Sequence, residues 1–269
     1  MRTLLLIFLL FFAVTSVQAK CVITMGYRLS ERLPLIEQAP DNDGLYHDLY
    51  YLAASHIGCR LDILRGSKTQ LMKSLKKGRI DFYPALTYTQ ERSEYLLFIA
   101  NGLPGGEVAV TRLDHPEIKS WGEMAGKTLL VAQGGANYQE YSPDVKLLSP
   151  VGLDTPRAIQ LVMSGYADLF VYNENTIRYY LKNNPELKDK VKIHPECCGG
   201  EQPMYLGFSH RSRHFAATAN PEFTPESIKG PFNQRWIPDP RSIAGRFAAE
   251  LIRLKQNRFT DVLYNDYYR

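Results

Sequence analysis

Arg92 stands on a short polar turn, TYTQER, between a strand-like run ending at Leu86 and the apolar stretch Tyr95-Leu96-Leu97-Phe98. A guanidinium is planar, permanently charged and carries paired N–H donors that match the two oxygens of a carboxylate. An Arg so placed is a solvated charge, a tie for its own loop, or the anchor of an anionic ligand. A second candidate is Gly134-Gly135-Ala136-Asn137, at the end of the strand-like KTLLVAQGG. If a helix begins at Asn137, its free N–H groups attract a further carboxylate oxygen; otherwise the glycines make a plain turn. Tyr27 ends the first strand-like segment, where it can stack on a ligand or pack in the core.

Other chemistries find little footing. No GxGxxG or GxxxxGK[ST] occurs, the six His show neither HxH nor HExxH, and no CxxC is present, so neither a nucleotide loop nor a zinc site is expected, and no cofactor. Ser74 and Lys77 match SxxK, but mid-helix and without companion motifs they read as a solvated helix face. Lysines and arginines number 32 against 28 acids and form no block, which argues against nucleic acid.

The elements that must position these residues follow an α/β order. Val22–Tyr27 alternates as a strand, LYHDLYYLAASHIG is helical and stops at Gly58, and Arg60–Leu64 is a second strand. SKTQLMKSLKKG is the next helix, stopped at Gly78, and RIDFYPAL the third strand, so β-α-β-α-β predicts a mainly parallel sheet. The pattern then repeats. EVAVTR, KTLLVAQGG and YADLFVYN are strands, SWGEMAG is a short helix, and TPRAIQLVMSG is a helix capped by Thr155 with Pro156 first inside it. Two α/β lobes place a ligand cleft at their strand ends. MYLGFSHRS is a later strand, Asn220 to Ser242 a Pro-rich surface loop, and IAGRFAAELIRLKQNRFTDVLYNDYY a helical close packed on the first lobe.

Residues 1–19 carry Arg2, an apolar run from Leu4 to Val14 and small residues at Val17 and Ala19, the make-up of a signal peptide cut after Ala19. The run is short of the ~20 residues of a spanning helix. An exported, periplasmic chain allows disulfides among its four cysteines. Cys21 and Cys59 each open a strand of a neighbouring parallel pair, which favours Cys21–Cys59; Cys197 and Cys198 are left as a vicinal disulfide or two thiols.

The block LMKSLKKGRIDFYPALTYTQERSEYLLF resembles the extracellular solute-binding proteins of polar amino acid ABC transporters, which have the type II periplasmic binding fold. Leu71, Leu75, Gly78, Asp81, Thr87, Thr89, Glu91, Arg92 and Phe98 carry the likeness. MAGKTLLVAQGGANYQEY and AIQLVMSGYADLFVYN extend it through the second half. The resemblance implies lobe 1 from 20–105 plus 204–269 and lobe 2 from 106–203, with a hinge at Gly105–Glu107 and Glu201–Met204. It implies that Arg92 holds a ligand carboxylate with help from Thr87, in a monomer that serves a membrane permease or a membrane sensor. Amino-acid binders of this family often hold the ligand's ammonium with an Asp where this chain has Asn173, and Lys68 stands near a position often aromatic there. Arg92 and Lys68 without a clear acid imply a polar amino acid or a related anion such as a dicarboxylate. Some members of this fold resemble dehydratases acting on a prephenate-like anion, a role in which Glu174 would be the acid.

Overall fold

The structure, a computed structural model, describes residues 21–131, 137–198, 200 and 202–268. The expected signal peptide and the candidates Gly135 and Ala136 lie outside the described residues. In chain order the first elements are β1 (Cys21–Arg28), α1 (Leu45–His56), β2 (Cys59–Gly66), α2 (Lys68–Lys76), β3 (Phe82–Tyr83), α3 (Gln90–Ser93) and β4 (Leu96–Gly105). There follow β5 (Glu107–Arg112), β6 (Thr128–Leu130), β7 (Lys146–Leu148), α4 (Thr155–Met163), β8 (Leu169–Asn173), α5 (Glu174–Lys182) and β9 (Val191–His194). The chain closes with β10 (Gln202–Ser209), β11 (Ala217–Ala219), β12 (Trp236–Pro238), α6 (Ile243–Gln256) and α7 (Phe259–Tyr268).

Two five-stranded sheets result, ordered β2-β1-β3-β10-β4 and β7-β6-β8-β5-β9. Each is a mixed sheet that is mainly parallel, four strands running one way and one against them. β10 runs antiparallel to β3 and β4, and β5 antiparallel to β8 and β9. The reason is the connections: each antiparallel strand enters from the opposite lobe, with no crossover helix of its own. β3 keeps only two residues of the expected RIDFYPAL, since Pro84 cannot donate to a ladder.

The first lobe's core is built by α1, α6 and the faces of β1, β3 and β10, with Tyr46, Tyr50, Phe82, Phe208 and Phe247 fully buried. In the second lobe β5 lies between β8 and β9 and is buried on both faces: Val108 and Val110 pack under α4, while Ala109 faces Met124, Val171 and Cys197. That double burial explains a near-continuous apolar strand. The echo between the halves is structural. Asp81 accepts the Thr24 N–H at 2.6 Å, and Asp168 accepts the Thr128 N–H at 2.7 Å, each tying its loop to the adjacent strand. Gly78 turns with φ +70°, and a Cβ there would meet the Arg211 carbonyl at 2.2 Å, so no other residue makes this stop without a shift.

Cys21 and Cys59 are register partners on β1 and β2 and form a disulfide. Closing a chain segment of 38 residues is worth about 4 kcal/mol by loop entropy. Cys197 and Cys198 form the vicinal disulfide of the two alternatives, and the Ala109 N–H points at Cys197 Sγ at 3.0 Å. Asn220 to Ser242 is less irregular than its proline content suggests. It contains β12, paired antiparallel with β11, and the Gln234 amide both donates to the Phe98 carbonyl (2.7 Å) and accepts its N–H (2.8 Å). A side chain thus stands in for a strand at the open edge of β4. Among the described residues no helix is long and apolar enough to cross a membrane.

Candidate ligand-binding site

A cleft of about 340 Å³ lies between the sheets, at the size of a small-molecule site. Lobe 1 supplies Arg32, Lys68, Thr87 and Tyr88; lobe 2 supplies Glu107, Trp121, Tyr138, Tyr141, Tyr172 and Asn173. Lys229 and Phe232, at the tip of the long loop, close one side, and Cys198 lines the floor. Trp121 stacks on both Tyr138 and Tyr141 with ring centroids 5.2 Å apart, giving lobe 2 a rigid aromatic wall.

Charge in this cleft is lopsided. Arg28, at the end of β1, donates from Nη1 to the Tyr172 hydroxyl at 3.0 Å. The Arg32 guanidinium lies 4.5 Å from the Tyr172 ring centre. Burial works to raise the Tyr172 phenol, but Arg32 and Arg28 outweigh it and bring it below the ordinary tyrosine range. Lys68 is held well below the ordinary lysine range by burial and then by Arg92, Arg28 and Arg32, with Glu107 alone opposing. Glu107 is the one carboxylate among the described lining residues. Its Oε1 accepts from Thr87 Oγ1 at 2.8 Å and from the Tyr138 hydroxyl at 2.9 Å, joining the lobes. Burial, then Glu107, pushes the Tyr138 phenol well up, so it stays a donor.

Arg92 is buried on α3, whose cap is Thr89, and its Nη1 donates to the Thr87 carbonyl at 2.8 Å. Its charge acts on Lys68 and Tyr138 in the cleft wall. Thr87, Lys68 and Asn173 line the cleft, so three of the sequence candidates converge there, with Arg92 tied to the Thr87 carbonyl. Asn173 is buried and spent on structure: it caps α5, accepting from the Thr176 N–H and hydroxyl at 3.1 Å each. Tyr27 does not join them. It is fully buried in lobe 1, with its hydroxyl near the Leu35 and Asp43 carbonyls and its ring under Arg65, because residue parity turns it from the cleft into the core. Asn137 caps only a three-residue 3-10 turn, Tyr138–Glu140, which lacks the aligned N–H groups of a longer helix. Glu174 pairs with Arg178 at 2.7 Å on the first turn of α5 and is absent from the described cleft wall.

Sequence reasoning missed Arg32, Glu107, Tyr138, Tyr172 and the loop tip as cleft residues, and Arg28 as the partner of Tyr172. The available signal was position: Arg28 and Glu107 each sit at the end of a strand that points to the other lobe. Among the described residues no group of three or more His, Cys, Asp or Glu is placed to hold a metal.

Two mixed α/β sheets joined by two crossings, with a polar cleft between them, define a two-lobed binding protein of the type II periplasmic architecture. Residues 30–194 match the bacterial extracellular solute-binding proteins, family 3, and the chain belongs to that family. No curated protein matches it. Among solved structures it is similar to AbpA of Streptococcus pneumoniae, an amino acid ABC transporter substrate-binding protein bound to L-arginine. The TM-score is 0.65 and the identity 14%, over 92% of this chain and 94% of the other. The ligand-binding core of GluR0 from Nostoc punctiforme, in complex with L-glutamate, gives 0.66 and 18%, over 91% and 99%. AncCDT-1, an ancestral amino-acid-binding protein and precursor of cyclohexadienyl dehydratase, gives 0.64 and 17%, over 92% and 95%. At these identities the likeness concerns the fold.

Proposed function

We propose that this chain is an exported, periplasmic receptor that binds a small carboxylate-bearing solute, a polar amino acid or related anion, by closing two lobes over it. Lobe 1 is 20–105 with 204–269, lobe 2 is 106–203, and the two crossings between β4 and β5 and ahead of β10 are the hinge. A monomer in this form passes its ligand to the membrane permease of an ABC transporter. The observation that carries the reading is the meeting of Thr87 and Lys68 in the wall of an inter-lobe cleft, with Arg92 held to the Thr87 carbonyl behind them, in a family of solute binders. Arg92 is the carboxylate anchor and Thr87 its neighbour.

The test is a thermal-shift screen of amino acids and organic acids, since a ligand that binds only the folded state raises Tm. For the best ligand, Arg92→Ala should cost about 2–5 kcal/mol of binding by calorimetry, as expected when one partner of a buried charge pair is removed. Unchanged affinity would refute the anchor. An enzyme of the dehydratase kind has less support, because Glu174 is committed to Arg178; turnover of prephenate or arogenate by the purified chain would restore it.

A further inference from the structure

One carboxylate does not use the positive charge gathered in this cleft. Arg28 stands beside it at the end of β1, on the Tyr172 hydroxyl, while Arg32 reaches it from the loop that follows and Lys68 from the start of α2. The Arg32 Nε is buried and has no hydrogen-bond partner. Arg28 is spent on the Tyr172 and Ser30 hydroxyls and Arg32 lies on the Tyr172 ring face, partners that offer dipole and quadrupole but no full counter-charge. The only acid in the described wall, Glu107, has one oxygen committed to Thr87 and Tyr138. Burying like charges beside one another without an anion is costly, and a donor left unmatched adds its own desolvation penalty. A structure retains such an arrangement when an anion is to fill it. Lys229, on the loop tip, adds a further cation to the same space.

We propose that Arg28, Arg32 and Lys68 form a second anion subsite, so that the ligand carries two acidic groups, one for Arg92 and one for this cluster. This rests on the receptor reading, with Arg92 as the first anchor. The recognised class is a short diacid. Two sources share that chemistry: an acidic amino acid, whose ammonium would face Glu107, and a dicarboxylate without nitrogen. Cationic ligands are disfavoured, since a guanidinium or ammonium tail would enter a cluster of like charge.

The test is isothermal titration of the purified chain with a matched set: glutamate, glutarate, aspartate, succinate, glutamine and arginine. At least one diacid should bind about tenfold or more tighter than glutamine and arginine. Glutamate against glutarate separates the two sources. Arg32→Gln and Lys68→Gln should each lower the ratio of diacid to glutamine affinity by about tenfold, while Tm of the free protein reports whether the variant folds. If glutamine or arginine binds tightest to the native chain, the subsite is wrong and the receptor reading stands. A variant that weakens every ligand equally also overturns the subsite. Were no member of the set to bind, both readings would fall. The native-chain comparison decides even if a variant fails to fold.

Discussion

Lys68 occupies the first turn of α2, behind the Ser67 cap, where the positive end of the helix dipole already opposes a cation. Arg28 faces it from β1, Arg32 from the following loop and Arg92 from α3; Glu107 on β5 is the opposing acid. Burial and these cations lower its folded pKa, so in the free protein the unfolded chain binds a proton that the folded chain does not. The sign is then fixed. Stability of the free protein should rise with pH from the folded value of Lys68 up to its ordinary value of about 10.4. An anionic ligand reverses the shift, so binding takes up at most about one proton and weakens as pH rises through the same window. Calorimetry in two buffers of different ionisation enthalpy measures that uptake, and Lys68→Met should abolish it; equal uptake in the variant would assign the proton elsewhere. At this scale the sequence was half legible. Arg92 and Thr87 announce themselves because their spacing lies within one turn. Arg28, Glu107 and Tyr172 meet only through tertiary structure, Arg28 and its partner being separated by 144 in sequence.

Elements were legible where local chemistry decides and obscure where it competes. Gly165 turns with φ +76° after α4, as a helix-stopping glycine should. Thr155 is not the cap of that helix: Asp154 is, its carboxylate accepting the Arg157 N–H at 2.9 Å, so Thr155 and Pro156 fall one position further in than expected. The closing segment breaks into α6 and α7 at Arg258, which adopts φ +61° with neither Gly nor Pro to signal it. The loop from Asn220 to Ser242 was the least legible, since its prolines say nothing of what its tip reaches. Ala219 pairs with Trp236, so the intervening residues can be replaced by a two-residue Asn-Gly hairpin. Such a variant should fold, losing roughly 1 kcal/mol per hydrogen bond that Gln234 gives β4. It should release ligand about tenfold faster, because the Lys229 and Phe232 side of the cleft is gone. Stopped-flow displacement measures the rate; an unchanged rate would show the loop to be a passive cover.

At the scale of the molecule, the lobes touch through polar contacts near the ligand space and at the end of α7, where Tyr268 meets Tyr179 and Lys182. Arg28 meets Tyr172, Thr87 meets Glu107, and the Tyr141 hydroxyl donates to the Tyr88 carbonyl at 3.1 Å. These are few and modest, each worth about 1 kcal/mol net, so the closed arrangement depends on what it encloses. Small-angle scattering should show a smaller radius of gyration when a saturating ligand is added. Tyr172→Phe keeps the ring under Arg32 but removes the Arg28 bond, and should weaken binding by about 0.5–1.5 kcal/mol. A scattering profile indifferent to ligand would argue for lobes locked together. The two-lobed plan was readable from the repeated α/β order, but the place of β10 between β3 and β4 was not, since sequence order does not tell which gap in a sheet a late strand will enter. That place has a consequence for how the chain folds. The second lobe's sheet is drawn from one uninterrupted stretch, Glu107 to His194, whereas the first lobe holds β3 and β4 apart until β10 arrives between them. A chain made from its N-terminus therefore completes its middle first, and the lobe it began with waits for residues near its end.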